Sequence, residues 1–225
     1  MPRCRRIKAD DVVYHIVTRG NNKMRAFHDD KDYHAYYDIL RKYRKEVPFE
    51  LYHFCIMRNH PHLLLKPNCD ISRLMHKVNL SYAQYYKARY GHVGHFWQDR
   101  FKSYIVSQDT YLLRCARYIE TNPLRTVAKI PPEAYPYSSY RYYAYGEECD
   151  IITEDPLYAT FGATPEEKRA AYRVFIKESE TDTDLIDPKS QFIASQEYIH
   201  SLFDRLRDFK RLKRRRGRPR KIWQN

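Results

Sequence analysis

Two short stretches carry side chains whose types and spacing could do chemistry. The first is NHPHLLL, residues 59–65. On a strand, positions two apart point to the same face, so His60 and His62 would stand side by side. Two neutral imidazoles offer two nitrogen ligands to a divalent cation. The same pair also reads as two hydrogen-bonded histidines closing a strand end. Pro61 lacks an N–H and belongs at a strand start or sheet edge, where a site can open. The second stretch is DTYLLRCARYIETN, residues 109–122. On a helix, Tyr118 and Asn122 share a face one turn apart, and Tyr111 falls on nearly the same stripe. A deprotonated or metal-oriented phenol is a covalent nucleophile, and an amide oxygen can serve a cation. The competing reading makes both tyrosines core aromatics and Asn122 a helix end before Pro123. Tyrosine fills 22 of the 225 positions, so residue type alone singles out none of them.

The elements that would position these residues follow from periodicity and turn chemistry. Residues 12–18, VVYHIVT, are β-branched and aromatic and read as a strand. Gly20, Asn21 and Asn22 end it. Tyr33, Tyr36, Tyr37, Leu40 and Tyr43 recur at helical spacing between His28 and Lys45, and Pro48 closes that helix. Residues 49–57 and 61–66 read as strands joined tightly at Asn59 and His60. Asp70 or Ser72 would cap a helix over about 71–90, ended by Gly91. Residues 101–106 read as a fourth strand, and Asp109 caps a helix to about 121. The order β-α-β-β-α-β-α predicts an α+β, ferredoxin-like fold. It is a four-stranded antiparallel sheet with two helices on one face, and an added helix carries Tyr118. Residues 1–130 would form this domain. Residues 131–164, rich in Tyr and Pro, read as an irregular arm. Residues 165–208 read as a small helical extension, with helices over 165–178 and about 195–212. Residues 209–225 read as a basic, disordered tail.

Charge is distributed unevenly. Residues 1–130 hold 24 Lys and Arg against 12 Asp and Glu, a net +12; residues 131–204 hold 6 against 15, a net −9; residues 205–225 hold 11 against 1, a net +10. Two basic segments flanking an acidic one suit a polyanion held at two places, although a solvated tail has the same composition. Aromatics interleaved with basic residues suit stacking on unpaired bases. No run of about 18 apolar residues exists, so a membrane span is not expected. Five scattered cysteines with no CxxC pair suggest neither a disulfide framework nor a zinc ribbon, and point to a reducing cytoplasm, at the nucleoid.

NHPHLLL, FWQDRF (96–101) and RYIETNPLR (117–125) together resemble the single-tyrosine HUH transposases, in particular the REP-associated tyrosine transposases. YHIVTRGNN (14–22) and YPYSSYRYY (135–143) also resemble segments of those proteins, so the resemblance spans residues 10–145 in order. It implies that His60 and His62 bind a divalent ion, Mg²⁺ or Mn²⁺, that Tyr118 is the nucleophile, and that Asn122 completes the metal site. Pro61 stands where Val is commoner in that family. The implied activity is nicking and rejoining of single-stranded hairpin DNA through a 5′-phosphotyrosine, in DNA transposition. The chain would work as a monomer or a homodimer.

Further DNA contacts are expected from Arg19 and Asn21 after the first strand, and from Trp97, Gln98 and Arg100 in FWQDRF. Phe96 and Trp97 also read as aromatics that seal the sheet. Arg114 and Arg117 are candidates to activate the phenol, or are ordinary helix-face charges. The tail RRRGRPRK resembles an AT-hook core centred on Arg216, Gly217, Arg218 and Pro219, which would lie in an A·T-rich minor groove, with Arg214 and Arg215 as further DNA contacts; a short basic run equally binds DNA without groove selectivity. A non-catalytic nucleic-acid-binding module and a metal-dependent nuclease using water are the alternative functions.

Overall fold

The computed structural model describes residues 7–9, 11–178, 185–187 and 190–215, with side chains through Arg207. They fall into two compact units divided between Ile193 and Ala194.

In the first unit, β1 (Val13–Val17) leads through a turn to α1 (Asp30–Glu46), then β2 (Phe49–Met57), β3 (His60–Pro67), α2 (Ile71–Tyr90), β4 (Lys102–Val106) and α3 (Thr110–Glu120). Sequence chemistry sets the ends. Asp29, Asp70 and Asp109 each cap a helix N-terminus by accepting a backbone N–H. Gly91 takes the left-handed conformation that closes α2.

The sheet order is β2-β3-β1-β4, all antiparallel, as expected. A fifth strand, β5 (Phe192–Ile193), joins β4 in parallel. Its two residues are too few to give a period-2 signal, which is why only four strands were legible. The β2 edge is also covered. Ile56 N–H donates to Tyr137 O, Ser139 N–H to Phe54 O, and Thr153 N–H to Leu51 O. Both edges of the sheet are thus blunted.

The segment expected to be an irregular arm is more ordered than its composition suggested. It contains α4 (Tyr140–Tyr145) and packs with α5 (Pro165–Lys177), with Tyr140, Tyr143, Tyr158 and Tyr172 buried. Tyr and Pro obscured the helical period here.

Strand pairing assigns the faces. Phe54, Leu63 and Ile16 lie in register and share one face. There α1 places Tyr37 edge-on to Phe54, and α2 reaches Thr18 through Asn79. The other face carries His15, His53, Cys55, His60, His62, Leu64 and Tyr104. Against it α3 buries Leu112, Cys115, Ala116 and Ile119, the i, i+3, i+4, i+7 stripe of an amphipathic helix. In the second unit, α6 (Gln196–Arg215) runs past the expected end near 212 and takes up the start of the basic run. No helix among the described residues is long and apolar enough to cross a membrane.

Candidate active site

β3 begins at His60, so Pro61 sits near the start of a strand, paired with Ile56. It is an interior strand, not an edge. The register places His60 and His62 on the α3 face, their rings 4.7 Å apart. β1 brings a third imidazole that sequence spacing did not reveal. His15 stacks on His62 at 5.2 Å, and its Nε2 lies 2.9 Å from His62 Nδ1. The Asn59 amide oxygen holds His60 Nδ1.

These contacts test whether the pair suits a cation. With Nδ1–H of His60 donating to Asn59, and Nδ1–H of His62 donating to His15, both Nε2 lone pairs are free. Metal-binding histidines are characteristically oriented in this way through the second ring nitrogen. His62 Nε2 is buried and lacks a hydrogen-bond partner, as a ligand atom awaiting a cation would. Burial keeps these rings neutral. Desolvation, with His60 nearby, lowers His15 to about 3. Desolvation and Arg19 lower His60 to about 4. His62 falls well below the ordinary imidazole value, by desolvation and then by its charged neighbours. The donor set therefore fits a divalent ion. Among the described residues no group of three or more His, Cys, Asp or Glu surrounds one point, so a third protein ligand would come from an amide.

α3 carries Tyr118 over this pair. Its ring is half-buried, with its centroid 6.1 Å from those of both His62 and His15, edge to face. Burial raises the phenol above its ordinary value, and the positive charges of Arg125 and Arg19 oppose that rise. The Arg125 guanidinium lies 4.7 Å over the Tyr118 ring. The short 3₁₀ turn Asn122–Arg125, entered at Pro123, folds it back there. Arg125 was missed in the sequence because it follows the helix end rather than lying on its stripe. Asn122 is buried, and its amide nitrogen donates to the carbonyls of Tyr118 (2.7 Å) and Ile119 (3.3 Å), leaving Oδ1 as the atom able to serve a cation.

The other candidates divide. Arg19 belongs to the site electrostatically. Gly20 beside it packs so closely on the turn after β1 that a Cβ would meet the Met24 carbonyl at 2.8 Å. Asn21 and Gln98 are exposed nearby, and the Gln98 N–H donates to the Arg19 carbonyl. Trp97 serves the fold. Its indole N–H donates to Asn79 O, and its ring packs on Phe96 and Tyr82. Arg100 is exposed. Arg114 lies over Tyr111, and Arg117 binds Phe175, so neither contact engages the Tyr118 phenol. The side chains of Arg214 and Arg215, and all of Arg216 and Arg218, lie outside the described residues.

One further centre escaped sequence reading altogether. His53, fully buried on β2, is bonded by Glu120 (2.9 Å) and Asp155 (3.0 Å). Ser139 and Tyr172 hydroxyls donate to the same Glu120 carboxylate. Burial alone would lower His53, but the two carboxylates override it and raise it to about 9.

The family model described as "Transposase IS200 like" matches residues 8–122, just over half of the chain. No curated protein matches the chain. Among solved structures, a REP-associated tyrosine transposase bound to a REP hairpin aligns with TM-score 0.55 and 16% identity. It covers 68% of this chain and 94% of that one, a likeness of fold. A transposase candidate from Deinococcus radiodurans R1 aligns with TM-score 0.37 and 21% identity, over 53% of this chain and 96% of that one.

Proposed function

The chain belongs to the IS200-like transposase family, and from that premise we propose that it nicks and rejoins single-stranded hairpin DNA with Tyr118 as its nucleophile. The observation that carries this reading is the convergence, within one chain, of the Tyr118 ring on His62 at 6.1 Å. Residues 56 positions apart in sequence meet because α3 lies across the face that β3 presents.

His60 and His62, with Asn122 through Oδ1, would hold Mg²⁺ or Mn²⁺. When bound, such an ion polarises the scissile phosphate and offsets developing charge. Tyr118 Oη attacks phosphorus in line. The P–O3′ bond breaks, the departing oxygen takes a proton as a 3′-OH, and a 5′-phosphotyrosine remains. The phosphoester is conserved rather than hydrolysed, so a second 3′-OH can reverse the step and join a new strand. Burial holds the Tyr118 phenol protonated at neutral pH, and Arg125 and Arg19 favour its ionised form. Both guanidiniums also suit a phosphate oxygen.

Covalent trapping tests this. Purified protein is incubated with single-stranded hairpin DNA and Mn²⁺, then resolved under denaturing conditions. A protein–DNA adduct is expected with the parent chain, absent from Tyr118→Phe and from chelated reactions. Cleavage without an adduct would assign the reaction to water. Retention without cleavage would leave a binding module.

A further inference from the structure

A cavity of about 600 Å³ opens beside the site, within the range of small-ligand pockets, roughly 300–1,000 Å³. It shares His60 with the imidazole pair and Pro123 with the turn that follows Tyr118. Its remaining wall is chiefly apolar. Met57, Ile130 and Tyr135 line it, and the Tyr135 hydroxyl is committed to the Ile56 carbonyl, so that residue offers carbon rather than a polar group. The basic side chains of Lys23 and Arg58 stand at its rim and are exposed. Asn59, the amide within reach, is already engaged with His60 and the Lys23 carbonyl.

A flat apolar ligand flanked by negative charge fits that description, and few hydrogen-bonding groups remain to read its edges. Resting on the nickase reading above, we propose that this cavity takes the base of the nucleotide adjoining the phosphate attacked by Tyr118. Lys23 and Arg58 would hold that nucleotide's backbone. Packing rather than edge recognition makes the pocket tolerant of base identity. Its role is to fix the strand so that the scissile phosphate lies between His60 and Tyr118. An unpaired nucleotide is required, because a stacked, paired base cannot enter.

The test measures binding by fluorescence anisotropy in chelator, so neither a cation nor the Tyr118 hydroxyl is involved. The probes are a thymidine octamer and an octamer of abasic sites, equal in charge. The parent chain is expected to prefer the thymidine octamer by about tenfold, the order given by base packing on protein surfaces. Ala128 lies at the cavity wall and is exposed. Ala128→Trp should fill the space, cut that preference at least about threefold, and leave abasic binding unchanged. Arg58→Glu should weaken both octamers by the same factor. The proposal is overturned if the parent shows no preference, if Ala128→Trp keeps it in full or weakens both probes alike, or if Arg58→Glu changes neither. Absence of a Tyr118 adduct would sink the nickase reading and leave this binding result standing. Failure here would leave the adduct chemistry untouched.

Discussion

The two sides of α3 handle buried histidine in opposite ways. Towards β1 and β3, Tyr118 faces His15 and His62, with His60 beside His62, and burial drives all three below the ordinary imidazole value with no carboxylate to oppose it. On the β2 side, Glu120 and Asp155 bracket His53, and the same desolvation is overridden so that His53 reaches about 9. One environment makes neutral imidazoles, with His62 Nε2 left without a hydrogen-bond partner. The other makes a fixed cation bonded at both nitrogens. What decides is whether an acid stands within hydrogen-bond distance. On the proposed reading, labour is divided two residues apart on one helix: Tyr118 for chemistry, Glu120 for anchoring.

The largest test of that division is a pair of variants. Tyr118→Phe should remove the covalent adduct, a fall of at least about a thousandfold, while stability by urea denaturation stays within about 1 kcal/mol, since the ring remains. Glu120→Ala should do the reverse. It leaves His53 buried with half its counter-charge and strips the acceptor from Ser139 and Tyr172. Breaking such a buried pair costs about 3–5 kcal/mol. If the two variants lose stability equally, α3 is not divided as described.

A smaller effect is a stability limb on the alkaline side. The folded value of His53, about 9, lies above the unfolded value of 6.5. Its contribution is therefore fully present below pH 6.5 and is lost as pH rises through about 9, amounting to about 3 kcal/mol. His15 works in the other direction. Its folded value is lowered to about 3, so its contribution is present above pH 6.5 and falls away as pH drops towards 3. Melting of the metal-free chain should decline on both flanks. Glu120→Gln keeps the hydrogen-bonding shape but removes one carboxylate, so its alkaline loss should begin at lower pH and be smaller. A Glu120→Gln profile superimposed on the parent's between pH 7 and 10 would show that His53 is not held charged.

Legibility in sequence tracked how local the cause was. β2 and α2 were readable to the residue because Pro48, Asp70 and Gly91 punctuate them. His60–His62 and Tyr118–Asn122 were readable because i, i+2 and i, i+4 spacings place side chains together within one element. The third imidazole was not, since His15 meets His62 across 47 residues and only through sheet register. His53 is further still from reading, with partners 67 and 102 residues away. Trp97 was readable in two ways, as a base-stacking aromatic or as one that seals the sheet. Its indole N–H donates to the Asn79 carbonyl, a contact that depends on α2 lying alongside and that no local spacing announces.

Arg125 offers the finest test, because its effect is electrostatic and small. Its guanidinium lies over the Tyr118 ring, whereas Arg117 on the same helix lies over Phe175. Removing the nearby cation should raise the Tyr118 phenol further, so less phenolate is available at a given pH. Arg125→Ala is therefore expected to slow single-turnover adduct formation about tenfold, roughly 1.4 kcal/mol of barrier, and to displace the pH–rate profile towards alkali. Arg125→Lys should recover part of both. Arg117→Ala loses its contacts with Phe175 and should cost stability, but should leave the profile in place. If Arg125→Ala only scales the rate without moving the profile, the guanidinium acts on the phosphate rather than the phenol, and the activation of Tyr118 falls to Arg19 and to the cation proposed for the histidine pair.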